Sequence, residues 1–279
     1  MRAVLVASVM LGGCGSAAGD GQSAEPTPEK PEPEPEWECT MGHKYDCRHS
    51  SATCAAAKYE CLSSAPNSFG PCICEQAALQ AVGPTEPVSR IVAGAFGPGG
   101  FYWAEYHFVS GAPFSKIAVG PIGNAGHVII DYLPGGEGIP MRVTEDTIYA
   151  GAQAFTLAGM PLEAPDPMVA FPATTSRVGN SSLGFMMDGV RVDNEALHWA
   201  EVDDGVYYFT DYGSSFVMFR SFATPGESKL VASAPYPMGG RIGVFRGVWA
   251  SGTHVYLSTL LGDDETYVLN YLDMSIVGK

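Results

Sequence analysis

Ala196-Leu197-His198-Trp199-Ala200-Glu201-Val202-Asp203-Asp204-Gly205-Val206-Tyr207-Tyr208-Phe209-Thr210-Asp211 is the stretch on which the fold turns. Two apolar and aromatic runs flank Asp203-Asp204-Gly205, and a short Asp/Gly turn between such runs marks a β-hairpin. Downstream, Phe216 to Phe222 reads as a third strand, Thr224-Pro225-Gly226 as a turn, and Lys229 to Ser233 as a fourth strand. A unit of this size cannot bury its apolar faces alone, so neighbours of the same kind are expected.

The same step, a turn followed by an apolar residue and a tyrosine, recurs along the chain. It reads Gly99-Gly100-Phe101-Tyr102, Glu145-Asp146-Thr147-Ile148-Tyr149, Asp203-Asp204-Gly205-Val206-Tyr207 and Gly252-Thr253-His254-Val255-Tyr256. Strand-rich repeats of about 40–50 residues point to a propeller. The tryptophan-tyrosine pair Trp199 and Tyr207 is echoed by Trp249 and Tyr256. The reading is an all-β, propeller-like domain of about four blades over residues 85–279. The stretch from Ala152 to Gly189, rich in X-Pro steps, is expected to form long loops.

Phe101-Tyr102-Trp103-Ala104-Glu105, Val206-Tyr207-Tyr208-Phe209-Thr210-Asp211 and Lys229-Leu230-Val231-Ala232-Ser233 resemble the YWTD/NHL-type propeller repeats of secreted bacterial proteins. That family usually closes with about six blades, more than this length holds at the observed period. The resemblance implies a binding or interaction module, with an unknown protein or glycan ligand met at the rim. Candidate rim contacts are Trp103, Glu105, Trp199 and Asp211. The alternative is a hydrolase or lactonase, because related propellers hold a catalytic cation in the central channel. The first strands that would line such a channel contain Ile91-Val92, Met141-Arg142-Val143, Ala196-Leu197-His198 and Val244-Phe245-Arg246. They lack the acidic and amide oxygens a hard cation needs, so no catalytic residue, metal or cofactor is assigned.

Ahead of this domain, residues 38–84 hold Cys39, Cys47, Cys54, Cys61, Cys72 and Cys74. A short segment with an even cysteine count in an exported chain reads as a disulfide-stapled module with three bridges. Ala55-Ala56-Ala57-Lys58-Tyr59-Glu60 favours helix. The seven-residue recurrence of Cys47, Cys54 and Cys61 would place those thiols on one helical face. His43 and His49 raise zinc, but CxxC pairs are absent, and zinc is set aside.

Residues 14–37 form an acidic, proline-rich linker, including Glu25-Pro26-Thr27-Pro28-Glu29 and Pro31-Glu32-Pro33-Glu34-Pro35-Glu36. Such a run cannot bury apolar surface and stays extended. Before it, Met1-Arg2 and the apolar run Ala3 to Leu11 end in Leu11-Gly12-Gly13-Cys14. This resembles the bacterial lipobox, with residues 1–13 as signal peptide and Cys14 as the lipidated residue. It implies a membrane partner through the lipid, at the bacterial cell envelope. Gly15, where an aspartate would retain the protein at the inner membrane, favours the outer one. The formal charge of −15 argues against nucleic acid, whose phosphates need clustered Lys and Arg.

Remaining motifs point to structure. Asp203-Asp204 and Asp263-Asp264-Glu265 fall at turns without the one-in-two spacing of a calcium loop. His107, His127, His198 and His254 are scattered. The glycine run from Gly94 to Gly100 precedes a strand and not a helix, so it cradles no phosphate.

Overall fold

Each strand read in the third unit is present, with turns where the Asp, Pro and Gly residues fall. The protein's structure, a computed structural model, describes residues 39–47, 54–84, 90–109, 111–134, 139–165, 170, 178–180, 186–187, 190–191, 196–210, 216–234, 244–261 and 266–278. The chain from Glu38 to Lys279 forms one compact unit, built of antiparallel sheets.

The cysteine-rich segment folds as β1 (Lys44–Asp46), β2 (Cys54–Glu60) and β3 (Ile73–Ala77), with β2 in the middle. It is followed by β4 (Gln80–Gly83). Sheet I is the meander β5 (Arg90–Gly97), β6 (Gly100–Val109), β7 (Ala112–Gly120) and β8 (His127–Pro134). Sheet II has β9 (Met141–Val143), β10 (Thr147–Ala150) and β11 (Gln153–Thr156). A further edge is sketched by the Phe155–Pro161 bridge and by the Leu162 N–H, which donates to the Ala154 carbonyl.

Sheet III begins with β12 (Val178–Asn180), after which β13 (Met186–Met187) and β14 (Val190–Arg191) pair with each other. It continues as β15 (Ala196–Val202), β16 (Gly205–Thr210), β17 (Phe216–Ser221) and β18 (Ser228–Ser233), with β12 on the free edge of β15. Sheet IV is β19 (Val244–Ser251), β20 (His254–Leu261) and β21 (Thr266–Asp273), and its fourth strand is β4 from the other end of the chain. A single turn of 3-10 helix, Met274–Ile276, follows.

One hairpin geometry recurs in all four sheets. The first hairpin of each closes across two residues, at Gly97/Gly100, Thr144/Thr147, Val202/Gly205 and Ser251/His254. Tyr102, Tyr149, Tyr207 and Tyr256 each lie two residues beyond that closing pair, on a strand bonded on both sides. At Gly100, φ is 142° and an added Cβ would run into the Gly120 carbonyl, so only glycine fits that corner.

The faces of these second strands alternate in a consistent way, as strand geometry requires. In sheet I, Phe101 and Trp103 pack on sheet IV with Trp249, Tyr256, Leu269 and Val82, whereas Tyr102 packs on sheet II with Ile148, Ala150 and Phe155. In sheet IV, Val255 and Leu257 pack on sheet III with Tyr207, Phe209 and Val217. Sheets III, IV, I and II are thus stacked in that order. Their first strands are neighbours too: β15 lies beside β19, β19 beside β5, and β5 beside β9. The face of sheet III turned away from sheet IV buries Val206 and Tyr208, with Trp199 and Met218 packed on them.

The structure departs from the sequence pattern in two places. The segment Cys54–Glu60 is a strand and not a helix. Bridges Cys39–Cys61, Cys47–Cys72 and Cys54–Cys74 fix it between two partners, and β1 and β3 take up its backbone groups. Alanine propensity, a few tenths of a kcal/mol per residue, roughly, does not compete with that. Secondly, Trp199 and Trp249 are not equivalent. Trp249 faces Tyr256 across its hairpin, but Trp199 faces Tyr208, and Ala200 faces Tyr207. The one-residue offset sends the two indoles to opposite faces.

Candidate functional site

Strand β6 carries the strongest concentration of chemically capable side chains. Trp103, Glu105 and His107 share one of its faces through the two-residue period. The Trp103 Nε1–H donates to Glu105 Oε1 at 2.8 Å, and Glu105 Oε2 lies 3.9 Å from His107 Nε2. Cross-strand pairing puts Ile91 and Lys116 on either side of Glu105. Glu105 is fully buried and Trp103 is 1% exposed. Neither is a rim contact as expected: β6 is a central strand covered on both faces, so its apolar pattern buries what the sequence suggested for a surface. The row is a locked hydrogen-bonded pair inside the sheet I–sheet IV interface, closed to solvent.

Toward the end of β6 the same face opens to solvent through an aromatic ladder. His107 stacks on Phe114 of β7 at 5.1 Å between ring centroids, and Phe114 stacks on Tyr132 of β8 at 5.5 Å. Beyond it the β6–β7 hairpin closes at Val109/Ala112, with Gly111 at φ 81° in the turn. Phe108 is 58% exposed, Val109 57% and Tyr132 63%. No sequence reading flagged this tip. The available signal was Phe108-Val109-Ser110-Gly111-Ala112-Pro113-Phe114, seven residues without a charge in a strongly acidic chain.

The other expected contacts scatter. Trp199 is half-buried against Val206 and Tyr208. Asp211, Cys14, His49 and the run Asp263-Asp264-Glu265 lie outside the described residues. Asp203 and Asp204 form the two-residue turn between β15 and β16, and the Asp204 carbonyl accepts from the Phe222 N–H. Among the described residues no group of three or more His, Cys, Asp or Glu side chains is placed to hold a metal ion.

Ionisation is perturbed at the buried tyrosines. Burial pushes the Tyr207 hydroxyl well above its ordinary range, with the Asp204 charge adding to it. Burial likewise pushes Tyr271 up to about 12, assisted by Asp273 and Tyr256. Tyr271 also hydrogen-bonds His254 Nδ1 at 2.8 Å. Tyr102 and Tyr256 are raised by burial too, Tyr256 against the opposing effect of the Gly123 N–H it accepts. In the cysteine-rich sheet, Glu75 is lowered by its hydrogen bond from Lys44 at 2.8 Å. These are structural environments spread over several sheets.

No protein-family model matches the chain, and no curated protein matches it.

Proposed function

We propose that the protein is an envelope-tethered binding module whose sheets I to IV are the blades of a four-bladed, propeller-like ring, held at the membrane by a lipid on Cys14. The observation that carries this reading is the completion of sheet IV by β4. Pairing the first strand of a repeat array with its last sheet is how a ring of blades removes its free edges. The alternation of faces supports it: positions like Phe101 and Val255 face the preceding sheet, and Tyr102, Tyr207 and Tyr256 face the following one. By the same rule, Val206 and Tyr208 face sheet II, which would close the ring.

Rings of this kind present loops on a rigid scaffold, the arrangement that suits recognition. The expected ligand is a protein or glycan of the envelope, met at the rim through the Asp211 segment. The test uses the processed chain, residues 14–279 with Cys14→Ser, against isolated peptidoglycan and a glycan array. Binding that drops at least about tenfold in Asp211→Ala, or about 1.4 kcal/mol, with unchanged melting, supports the reading. Turnover of ester or lactone substrates abolished by EDTA, without such binding, would replace it with the cation-dependent hydrolase.

A further inference from the structure

We infer that the β6–β7 hairpin tip is a second membrane contact, inserting Phe108 and Val109 into a zwitterionic phospholipid surface. The inference goes beyond the binding reading and does not need its ligand. Phe108 and Val109 are successive residues of a strand, so their side chains point to opposite faces of the hairpin. Both are more than half exposed, at 58% and 57%. The tip therefore stands clear of the neighbouring sheets on both sides. A docking patch for a globular partner is one-sided; two exposed apolar side chains on opposite faces suit a medium that surrounds them.

Three further observations favour lipid. The run from Phe108 to Phe114 carries no charge, so none has to enter the hydrocarbon boundary, where an ion is costly. Tyr132, 63% exposed beside Phe114, has the apolar body and polar tip that settle at a membrane interface. The chain between Cys14 and Cys39 can reach about 80 Å if extended, so a lipid on Cys14 leaves the tip free to meet the same surface. Its geometry is also firm, because the His107–Phe114–Tyr132 ladder braces all three strands beneath it.

The lipid chemistry follows from charge. The chain carries −15 overall. Anionic headgroups would repel it, so the contact is to neutral headgroups and rests on apolar insertion. It is expected to strengthen, not weaken, on raising salt with anionic vesicles.

The experiment sediments the processed chain, residues 14–279 with Cys14→Ser, with phosphatidylcholine vesicles. Removing the lipidation site separates this contact from the anchor. Binding is expected, with a partition coefficient lowered at least about tenfold in F108S/V109S, equivalent to about 1.4 kcal/mol, at unchanged melting temperature. M41S/L62S, which removes the exposed apolar pair Met41 and Leu62 of the cysteine-rich sheet, should bind like the parent. Phe108→Trp should be quenched by brominated acyl chains. The inference is overturned by equal binding of F108S/V109S and parent, by loss in M41S/L62S instead, by preference for anionic vesicles at low salt, or by a concentration-dependent dimer that F108S/V109S abolishes.

Discussion

The hydrogen bond from Trp103 to Glu105 lies where water cannot substitute for either partner, so each depends on the other. Glu105→Ala strands the indole N–H and opens a void, and should cost about 1–3 kcal/mol in urea unfolding for the unmet donor. Glu105→Gln keeps an acceptor and should cost less. Tyr207→Ala, at a position 5% exposed, should cost about 3–5 kcal/mol, as for other large buried aromatics. The raised tyrosines make an alkaline prediction. The fold favours the neutral phenol, so its stabilisation is intact below the unfolded value of about 10. It is lost as pH rises through the folded values, about 12 at Tyr271. Melting temperature should fall over that window, less steeply in Tyr271→Phe. Trp103 and Glu105 were legible as strand residues but not as buried ones. Alternation reveals two faces, and only the stacked sheets decide that both are covered.

The hairpins were the most legible elements, because two-residue turns need particular residues and Asp203-Asp204 supplies them. Asp204→Asn should therefore change stability by no more than about 0.5 kcal/mol, and EDTA should leave melting unaltered. The Cys54–Glu60 strand looks helical in sequence because alanine and a seven-residue spacing both suit a helix. Its real constraint is covalent and non-local, and spacing does not specify which cysteines pair. Non-reducing peptide mapping should recover Cys39–Cys61, Cys47–Cys72 and Cys54–Cys74. The module also does not end as composition suggested. The Gly278 N–H donates to the Cys74 carbonyl at 2.8 Å, β3 lies against β18 and the terminal 3-10 turn, and Ala77 joins the core of sheets III and IV. Removing the Cys54–Cys74 bridge as a Ser pair should cost about 3 kcal/mol for a loop of this size. The loss should appear in the main unfolding transition and not in a separate one.

At the scale of the whole molecule, the pairing of β4 with β21 was invisible in the sequence. Local pattern identifies strands, but a partner about 190 residues away leaves no mark in either run. The same limit hid the stacking order of the sheets. Ring closure between sheets II and III is open to a direct measurement. If Tyr149 meets the Tyr208 face, the double-mutant cycle Tyr149→Ala/Tyr208→Ala should give a coupling of about 0.5–3 kcal/mol. Simple additivity would mean the two sheets do not touch there. Slow folding is expected as well, since the last sheet cannot be completed until its first and final strands meet.

The bridges also determine how the molecule bears tension. A pull on the chain ahead of Cys39 crosses directly to Cys61, runs back along β2 to Cys54, and crosses again to Cys74. The loops between those cysteines are bypassed and cannot lengthen. The load arrives undiminished at β3 and then at β4, held to sheet IV by a short ladder of backbone hydrogen bonds to β21 and by buried Val82. That short joint is expected to give first. Drawn taut, the chain should peel β4 from the sheet it completes while the cysteine-rich segment stays folded, making the fourth strand of sheet IV its mechanical fuse.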